Sequence, residues 1–194
     1  MRADRFTALI DANVLARALP HNVILSLAED GFYRARWSAD ILDETERAIG
    51  RLLRDRVGEP GALAKIQRER VEAAFPEALV EGYAPLIVGP ELPDKKDRHI
   101  LAAAIRTAAA LIVTDNAKDF PSEVLEQFDI QQIGTDDFVA DIIDLDPVGS
   151  VSSLRRMRVR FATPAIDAAD LVRRMEAAGM TRAADLLLDE LPNL

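Results

Sequence analysis

Four carboxylates stand at positions from which they could share one task. Asp11 ends the apolar run Ala8-Leu9-Ile10, and Asp115 follows the run "ALIVT". Asp97 falls at the start of the helical pattern that follows "GPELPD", and Glu44 lies nearly two turns into the helix that Ser38 is placed to cap. In open α/β sheets the tips of the strands are where ligands bind and chemistry is done. If the strands ending at Asp11 and Asp115 run parallel, both acids emerge at one edge of a sheet. With Asp94 as N-cap, Asp97 falls in the first helical turn, where free amides and the helix dipole favour an ionised carboxylate. Several anions at one edge repel one another and hold together only with a cation. Hard carboxylate oxygens suit Mg²⁺ or Mn²⁺. With no cysteine and only His21 and His99, a zinc site is poorly supplied.

Other polar residues nearby have plainer readings. Asp94 suits a cap better than a ligand, Asp119 suits either a turn or a fifth acid, and His99 reads as a helix-surface residue. Asn13 either starts the first helix or orients Asp11. Asp40, Asp43 and Glu46 read as solvated.

These acids need elements to position them, and the pattern supplies strands and helices in alternation. Thr7–Asp11 reads as a short buried strand. A helix starting at Val14 is interrupted by Pro20, and a second runs from His21 to Asp30, stopped by Gly31. "FYRARWS" alternates as a strand does. A long helix follows Ser38, and another spans about 62–74. "APLIV" (84–88) reads as a strand. A helix around 100–109, the strand "ALIVT", a short helix near 124–128, the strand "IQQI" and a helix capped by Thr135 complete the run. Such alternation means a parallel sheet flanked by helices. After "DLDPVGS" no strand-like run remains. The division expected is a domain over residues 1–145 and a helical C-terminal segment over 146–194. In that segment Thr163-Pro164 suits an N-cap pair, and Gly179 suits a helix stop. Ile166, Leu171, Val172 and Met175 form one apolar stripe, and Ala184, Leu187, Leu188 and Leu191 another. The hairpin they make must bury both stripes, either on the α/β domain or on a partner chain.

Of the 194 residues 49% are hydrophobic, enough for a real core. The absence of cysteine excludes a disulfide framework. No apolar run is long enough to span a bilayer and no signal peptide is evident, so a cytoplasmic protein is expected. The net charge of −9 argues against a nucleic-acid binder, but the charge is segregated. Residues 45–70 hold seven basic residues against four acidic, residues 76–146 hold fifteen acidic against five basic, and "LRRMRVR" (154–160) has four arginines and no acid. Local basic patches attract phosphate even on an acidic chain.

"LIDANVL", "WSADILDE", "DKKDRHILAAAI" and "LIVTDNAKDF" resemble, in this order, the four acidic motifs of PIN-domain ribonucleases. The likeness is nearest to VapC-type toxins of bacterial toxin–antitoxin pairs, in a longer subgroup with a C-terminal helical segment. It covers roughly residues 7–145. The resemblance implies a PIN-like parallel sheet, an endoribonuclease dependent on Mg²⁺ or Mn²⁺ that cuts tRNA or ribosomal RNA, a homodimer, and an antitoxin that blocks the site. The partner chain for the tail hairpin would be a dimer mate or that antitoxin. Residue by residue it implies Asp11, Glu44, Asp97 and Asp115 as catalytic, the metal lying on Asp11, Asp97 and Asp115, with Asn13 and Thr114 in support. An RNA path must then draw on Arg36, Arg47, Arg51, Lys95, Lys96, Arg98 or the 155–160 cluster.

Two other enzymes place acids at strand ends. A haloacid-dehalogenase phosphatase needs Asp-x-Asp, and here the second position is Asn13. A response-regulator receiver needs an Asp on a middle strand, and "APLIVGPEL" offers none. The remaining alternatives are a degenerate PIN-like binding module and another Mg²⁺-dependent phosphoesterase.

Overall fold

The computed structural model describes residues 6–54, 59–87, 92–161 and 164–194. In chain order the elements are β1 (Thr7–Ile10), α1 (Ala12–Leu15), α2 (Ala18–Glu29), β2 (Arg34–Ser38), α3 (Ala39–Leu53), α4 (Pro60–Ala74), β3 (Leu79–Val80), α5 (Arg98–Arg106), β4 (Leu111–Val113), α6 (Ser122–Leu125), β5 (Gln131–Ile133), α7 (Thr135–Leu145), α8 (Pro147–Val159), α9 (Ala168–Ala177) and α10 (Thr181–Leu188). They gather into two compact units. One holds residues 1–17 and 34–133, and the other residues 18–33 and 134–194.

The first unit is built on a five-stranded sheet of order β3-β2-β1-β4-β5, parallel throughout. Its central strands are buried on both faces, which is why they read as continuous apolar runs rather than as alternations. Leu9, Ile10, Ile112, Val113 and Trp37 are fully buried. Pairing of Ile10 with Val113 sets the register at the carboxyl end of the sheet. The ladder runs one residue further, where the Asp11 amide donates to the Val113 carbonyl (3.1 Å). Asp11 therefore lies beside Thr114, and Asp115 stands one residue beyond.

Ser38 caps α3, its Oγ accepting from the Ile41 amide at 3.2 Å. The helix buries Ile41, Leu42, Thr45 and Ile49 and forms a hairpin with α4 around Ile49, Ala16 and Ala64. Arg68 of α4 holds that hairpin from outside by reaching Asp43, Glu46 (3.4 Å) and Glu72 (3.2 Å). The edge strand is Leu79–Val80. Residues 84–86, expected as a strand, form a 3₁₀ turn instead, because Pro85 lacks the N–H a ladder requires.

The second unit is helical. Phe138 packs edge-on against Tyr33 (centroids 4.9 Å apart), and the Tyr33 hydroxyl donates to the Ile24 carbonyl (3.0 Å). Ser153 Oγ donates to the Ser26 carbonyl at 3.2 Å. Asp146 caps α8 and Asp167 caps α9. Thr163 lies outside the described residues, and α9 begins only at Ala168. Gly134 precedes α7, so Thr135 is its first residue and not its cap. Gly179, at φ 86°, ends α9 as expected.

The apolar stripes of the tail are buried within its own chain, against α7, α8 and α2. Ile166, Leu171, Val172 and Met175 are all buried, as are Ala184 and Leu187, but Leu188 is exposed and Ala183 is buried in its place. Asp136 on α7 caps α10 across the helix pair. It accepts from the amides of Arg182 and Ala183 (2.9 Å each) and from the Thr181 hydroxyl (3.2 Å). Arg182 then reaches back to Asp137 (3.1 Å), Asp141 (2.8 Å) and Asp144 (3.0 Å), which line one face of α7 at helical spacing.

Asp136→Ala removes a three-bond cap while leaving the Arg182 pairs to water-screened contacts. It is expected to cost about 1 kcal/mol and to lower the melting temperature by roughly 2–4 °C. Asp144→Asn, which loses one exposed pair, should shift it far less. Thermal unfolding of the two variants side by side checks this.

Candidate active site

The site begins with a carboxylate that the fold buries. Asp11 is 6% exposed, at the junction of β1 and α1. Its Oδ2 accepts from Asn13 Nδ2 (2.6 Å) and from Thr114 Oγ1 (2.7 Å). Asn13 Nδ2 also lies 2.8 Å from Thr114 Oγ1, and Asn13 Oδ1 accepts from the Asp115 amide at 3.3 Å. Asn13 thus ties the two strand ends together. Thr114, fully buried, also accepts from the Asn116 amide (3.1 Å), and its carbonyl accepts from Gln132 Nε2 (2.8 Å). Burial raises the Asp11 carboxyl above its ordinary value, and the hydrogen bond from Thr114 opposes that rise.

Asp97 is the residue just before α5, with no side-chain capping bond of its own. Asp94 is the cap of the preceding turn, accepting from the Lys96 amide at 2.9 Å. Burial raises Asp97 first, and the charges of Asp11, Asp119, Asp94 and Glu44 add to it, so that its pKa is pushed up to about 6. Asp97 thus feels the charges of Asp11, Asp119, Asp94 and Glu44, and Asp11 feels that of Glu44. Asp115 stands one residue beyond Thr114 at the end of β4. Its carboxylate pairs with Arg17, whose Nε also donates to the Asn13 carbonyl at 3.3 Å. Asp119 in turn accepts from Asn116 Nδ2.

Glu44 lies on α3 with its Oε1 3.4 Å from Nε2 of His99. His99 is only 9% exposed, so it is not the surface residue its lone position on a helix suggested. Neither ring nitrogen makes a hydrogen bond, and the Glu44 contact is an ion-pair distance. Burial alone would lower the His99 pKa; Glu44, with smaller contributions from Asp40 and Asp97, raises it overall.

The carboxylate set fits a hard divalent cation by its chemistry: several oxygen donors, mutual repulsion, and a carboxyl already driven toward protonation for want of a counter-charge. Among the described residues no three such side chains stand close enough together to make a ready-formed ligand shell.

Three site residues were missed or underweighted in the sequence. Asp119 sits four residues past Asp115 on a 3₁₀ turn (Ala117–Asp119) that returns it toward Asp97. Arg17 is four residues past Asn13, a helical spacing that carries its side chain back over the strand ends. His99 is two residues past Asp97, but its burial is a tertiary fact with no local signal. The basic candidates divide as well. Glu44, Arg47 and Arg51 share one stripe of α3 at i, i+3, i+7, and both arginines are exposed. Arg36 donates to the Glu77 carbonyl. In the 155–160 cluster, Arg156 pairs with Asp30 (2.7 Å), Arg160 pairs with Glu29 (2.8 Å), and Arg158 donates to the Leu194 (3.1 Å) and Ile166 (2.7 Å) carbonyls. All three therefore have partners within the helical unit.

Comparison with known proteins matches residues 7–118 to the PIN domain and residues 135–189 to the VapC50 C-terminal domain. A protein of Mycobacterium tuberculosis (strain ATCC 25618 / H37Rv) named "Putative ribonuclease VapC50" is 39% identical over 90 residues, which are 46% of this chain and 51% of that protein. The chain thus spans about half the length of that relative. No solved structure matches.

The Asp97 shift has a measurable sign. Its folded value of about 6 exceeds the ordinary 3.8, so the folded state binds the proton more tightly. Stability falls as pH rises between those values, and the penalty is complete above the higher one. Asp97→Asn is therefore expected to stabilise the fold at neutral pH in EDTA by roughly 1 kcal/mol once screening of this half-exposed group is allowed for, a rise of roughly 2–4 °C in melting temperature. Near pH ~4 the same variant should melt with the wild type. Paired thermal scans at the two pH values decide it.

Proposed function

The chain belongs to the PIN-domain family, and from that premise we propose that it is a metal-dependent endoribonuclease, the toxin of a toxin–antitoxin pair. The observation that carries the reading is the buried Asp11 at the carboxyl end of β1, bound by Asn13 and by Thr114 from the neighbouring parallel strand. The charges of Asp11, Asp119, Asp94 and Glu44 that, after burial, raise the Asp97 carboxyl support it. The 39% identical relative named as a ribonuclease supports the same activity. The substrate is cellular RNA, tRNA or ribosomal RNA by the family resemblance. A cognate antitoxin and a homodimer follow from that resemblance too. Residues 1–145 carry the nuclease and 146–194 a helical extension. Among the described residues no helix is long and apolar enough to cross a membrane, in keeping with a cytoplasmic site of action.

Asp11, Asp97 and Asp115 would hold Mg²⁺ or Mn²⁺, with Asp119 beside Asp97 as a further donor. Bound there, the ion supplies Lewis-acid activation of water and neutralises charge that builds on the phosphate. The chain's own residues do the rest. Asn13 and Thr114 fix the Asp11 carboxylate, so its geometry is set before substrate arrives. Glu44, steadied by His99, is placed to accept a proton from the attacking water and to orient it. Arg47 and Arg51 continue the Glu44 stripe and offer a path for the RNA backbone.

Asp11→Asn is expected to lower RNA cleavage by about a hundredfold or more while circular dichroism shows the fold retained. Sequencing of RNA ends after controlled expression would show discrete cuts with the wild type and none with the variant. Equal cleavage by both removes Asp11 from the mechanism.

Replacing Arg47 and Arg51 together by Ala should weaken RNA binding and reduce the slope of log affinity against log salt by about 0.7 for each lost phosphate contact. An unchanged slope would make the two arginines mere solvated residues of α3. A salt series of binding isotherms reads this directly.

A further inference from the structure

We propose that Arg17 is the phosphate-binding residue of this site and that Asp115 parks it there until RNA arrives. The inference rests on the nuclease reading and adds to it a substrate contact from the chain's own first helical turn. Arg17 follows α1, and its side chain folds back so that Nε donates to the Asn13 carbonyl (3.3 Å) while Nη2 pairs with Asp115. Asn13 is the residue that binds both Asp11 and Thr114. The guanidinium is therefore tethered to the same network that fixes the buried carboxylate. Both partners of the pair are partly open to solvent, at 37% and 38% side-chain exposure.

Three physical points single out Arg17. First, the strand ends carry the carboxylates of Asp11 and Asp115, and carboxylates repel a phosphodiester anion, so a cation already seated beside them, as Arg17 is beside Asp115, favours its approach. Second, a planar guanidinium binds phosphate oxygens in a two-pronged, charge-assisted contact that a carboxylate partner on the surface does not outmatch. Third, a half-exposed ion pair is weak because water screens it, so it orients the guanidinium without trapping it. The phosphate takes the place of Asp115 on Arg17, and the Asp115 carboxylate is thereby released toward the acid cluster.

The test uses the full chain and a short fluorescent oligoribonucleotide. Binding is measured in EDTA across a salt series, and single-turnover cleavage is measured with Mn²⁺. Arg17→Ala should weaken binding about tenfold and lower the salt slope by about 0.7, the value for one lost contact to a single strand. Its cleavage should fall by about a hundredfold. Arg17→Lys should keep the slope, since the charge remains, but recover only part of the rate, since the fork does not. Asp115→Asn, read in the EDTA binding assay alone, should bind at least as tightly as wild type, because it removes the competing anion. Unchanged affinity and slope in Arg17→Ala, with a wild type that cleaves, would overturn the assignment and leave the nuclease reading standing. Loss of binding in Asp115→Asn equal to that of Arg17→Ala would make the pair purely structural and overturn it too. A wild type that neither binds nor cleaves the RNA would remove the nuclease reading and this one with it.

Discussion

Burying an acid is the constraint on which this architecture turns. A carboxylate taken out of water at the junction of β1 and α1 must be compensated by hydrogen bonds or it will force the chain open. The chain meets that demand with Asn13, two residues on, and with Thr114 from the neighbouring strand. Because Ile10 pairs with Val113, the register delivers Thr114 and no other residue to that place. A slip of one residue would turn Thr114 away and bring Asp115 against Asp11, two anions in one buried spot. The parallel register, the amide of Asn13 and the hydroxyl of Thr114 are therefore one device.

The remaining acids act against stability. Asp97 has no bond that favours its charged form, and four neighbouring carboxylates oppose it. A protein selected for stability alone would not assemble them, and strained electrostatics of this kind mark places where binding or catalysis sets the terms. The negative total charge, which runs against the proposed action on RNA, is unevenly distributed. Much of it lies in Asp136, Asp137, Asp141 and Asp144, whose partners are the α10 terminus and Arg182 in the helical unit. Those acids hold elements of the helical unit to one another. Conversely, the arginine-rich run near residue 156, the most basic stretch of the sequence, is largely occupied with Asp30, Glu29 and backbone carbonyls. Composition located the charges but not their partners.

The same boundary separates what was legible in the sequence from what was not. The alternation of strands and helices, the Ser38 cap, the Gly179 stop, and the arrival of acids at strand tips all follow from local chemistry, and the fold bears them out. "APLIV" is apolar enough for a strand, but Pro85 denies a ladder its N–H. Residues 84–86 form a 3₁₀ turn, Val88 lies outside the described residues, and the edge strand beside β2 is the two-residue Leu79–Val80. Thr135 looked like a cap because its side chain suits one, yet Gly134 holds that position. His99 and the Arg17–Asp115 pair were invisible for a deeper reason: each is made by residues far apart in sequence, and single-chain periodicity carries no information about such partners. Leu188 was assigned to a buried stripe by spacing alone, while α10 is rotated so that Ala183 takes the inside.

Asp115 and Asp119 show how fine that limit is. Both follow the same strand within one short segment, and by residue type alone either can serve as the acid that joins Asp11 and Asp97. What separates them is backbone geometry. Thr114 uses its side chain to face Asp11, so the next residue along an extended chain must face the other way, and there Arg17 meets it. The turn over Ala117–Asp119 then reverses the chain and restores a carboxylate to the acidic side, steadied by Asn116. The segment thus offers two acids with different tasks. Asp119 adds to the charge felt by Asp97, and Asp115 pairs with Arg17. On the proposed reading, an acidic cluster that attracts a cation yet admits a polyanion needs both an extra carboxylate and a held guanidinium, and residues 114–119 carry a candidate partner for each.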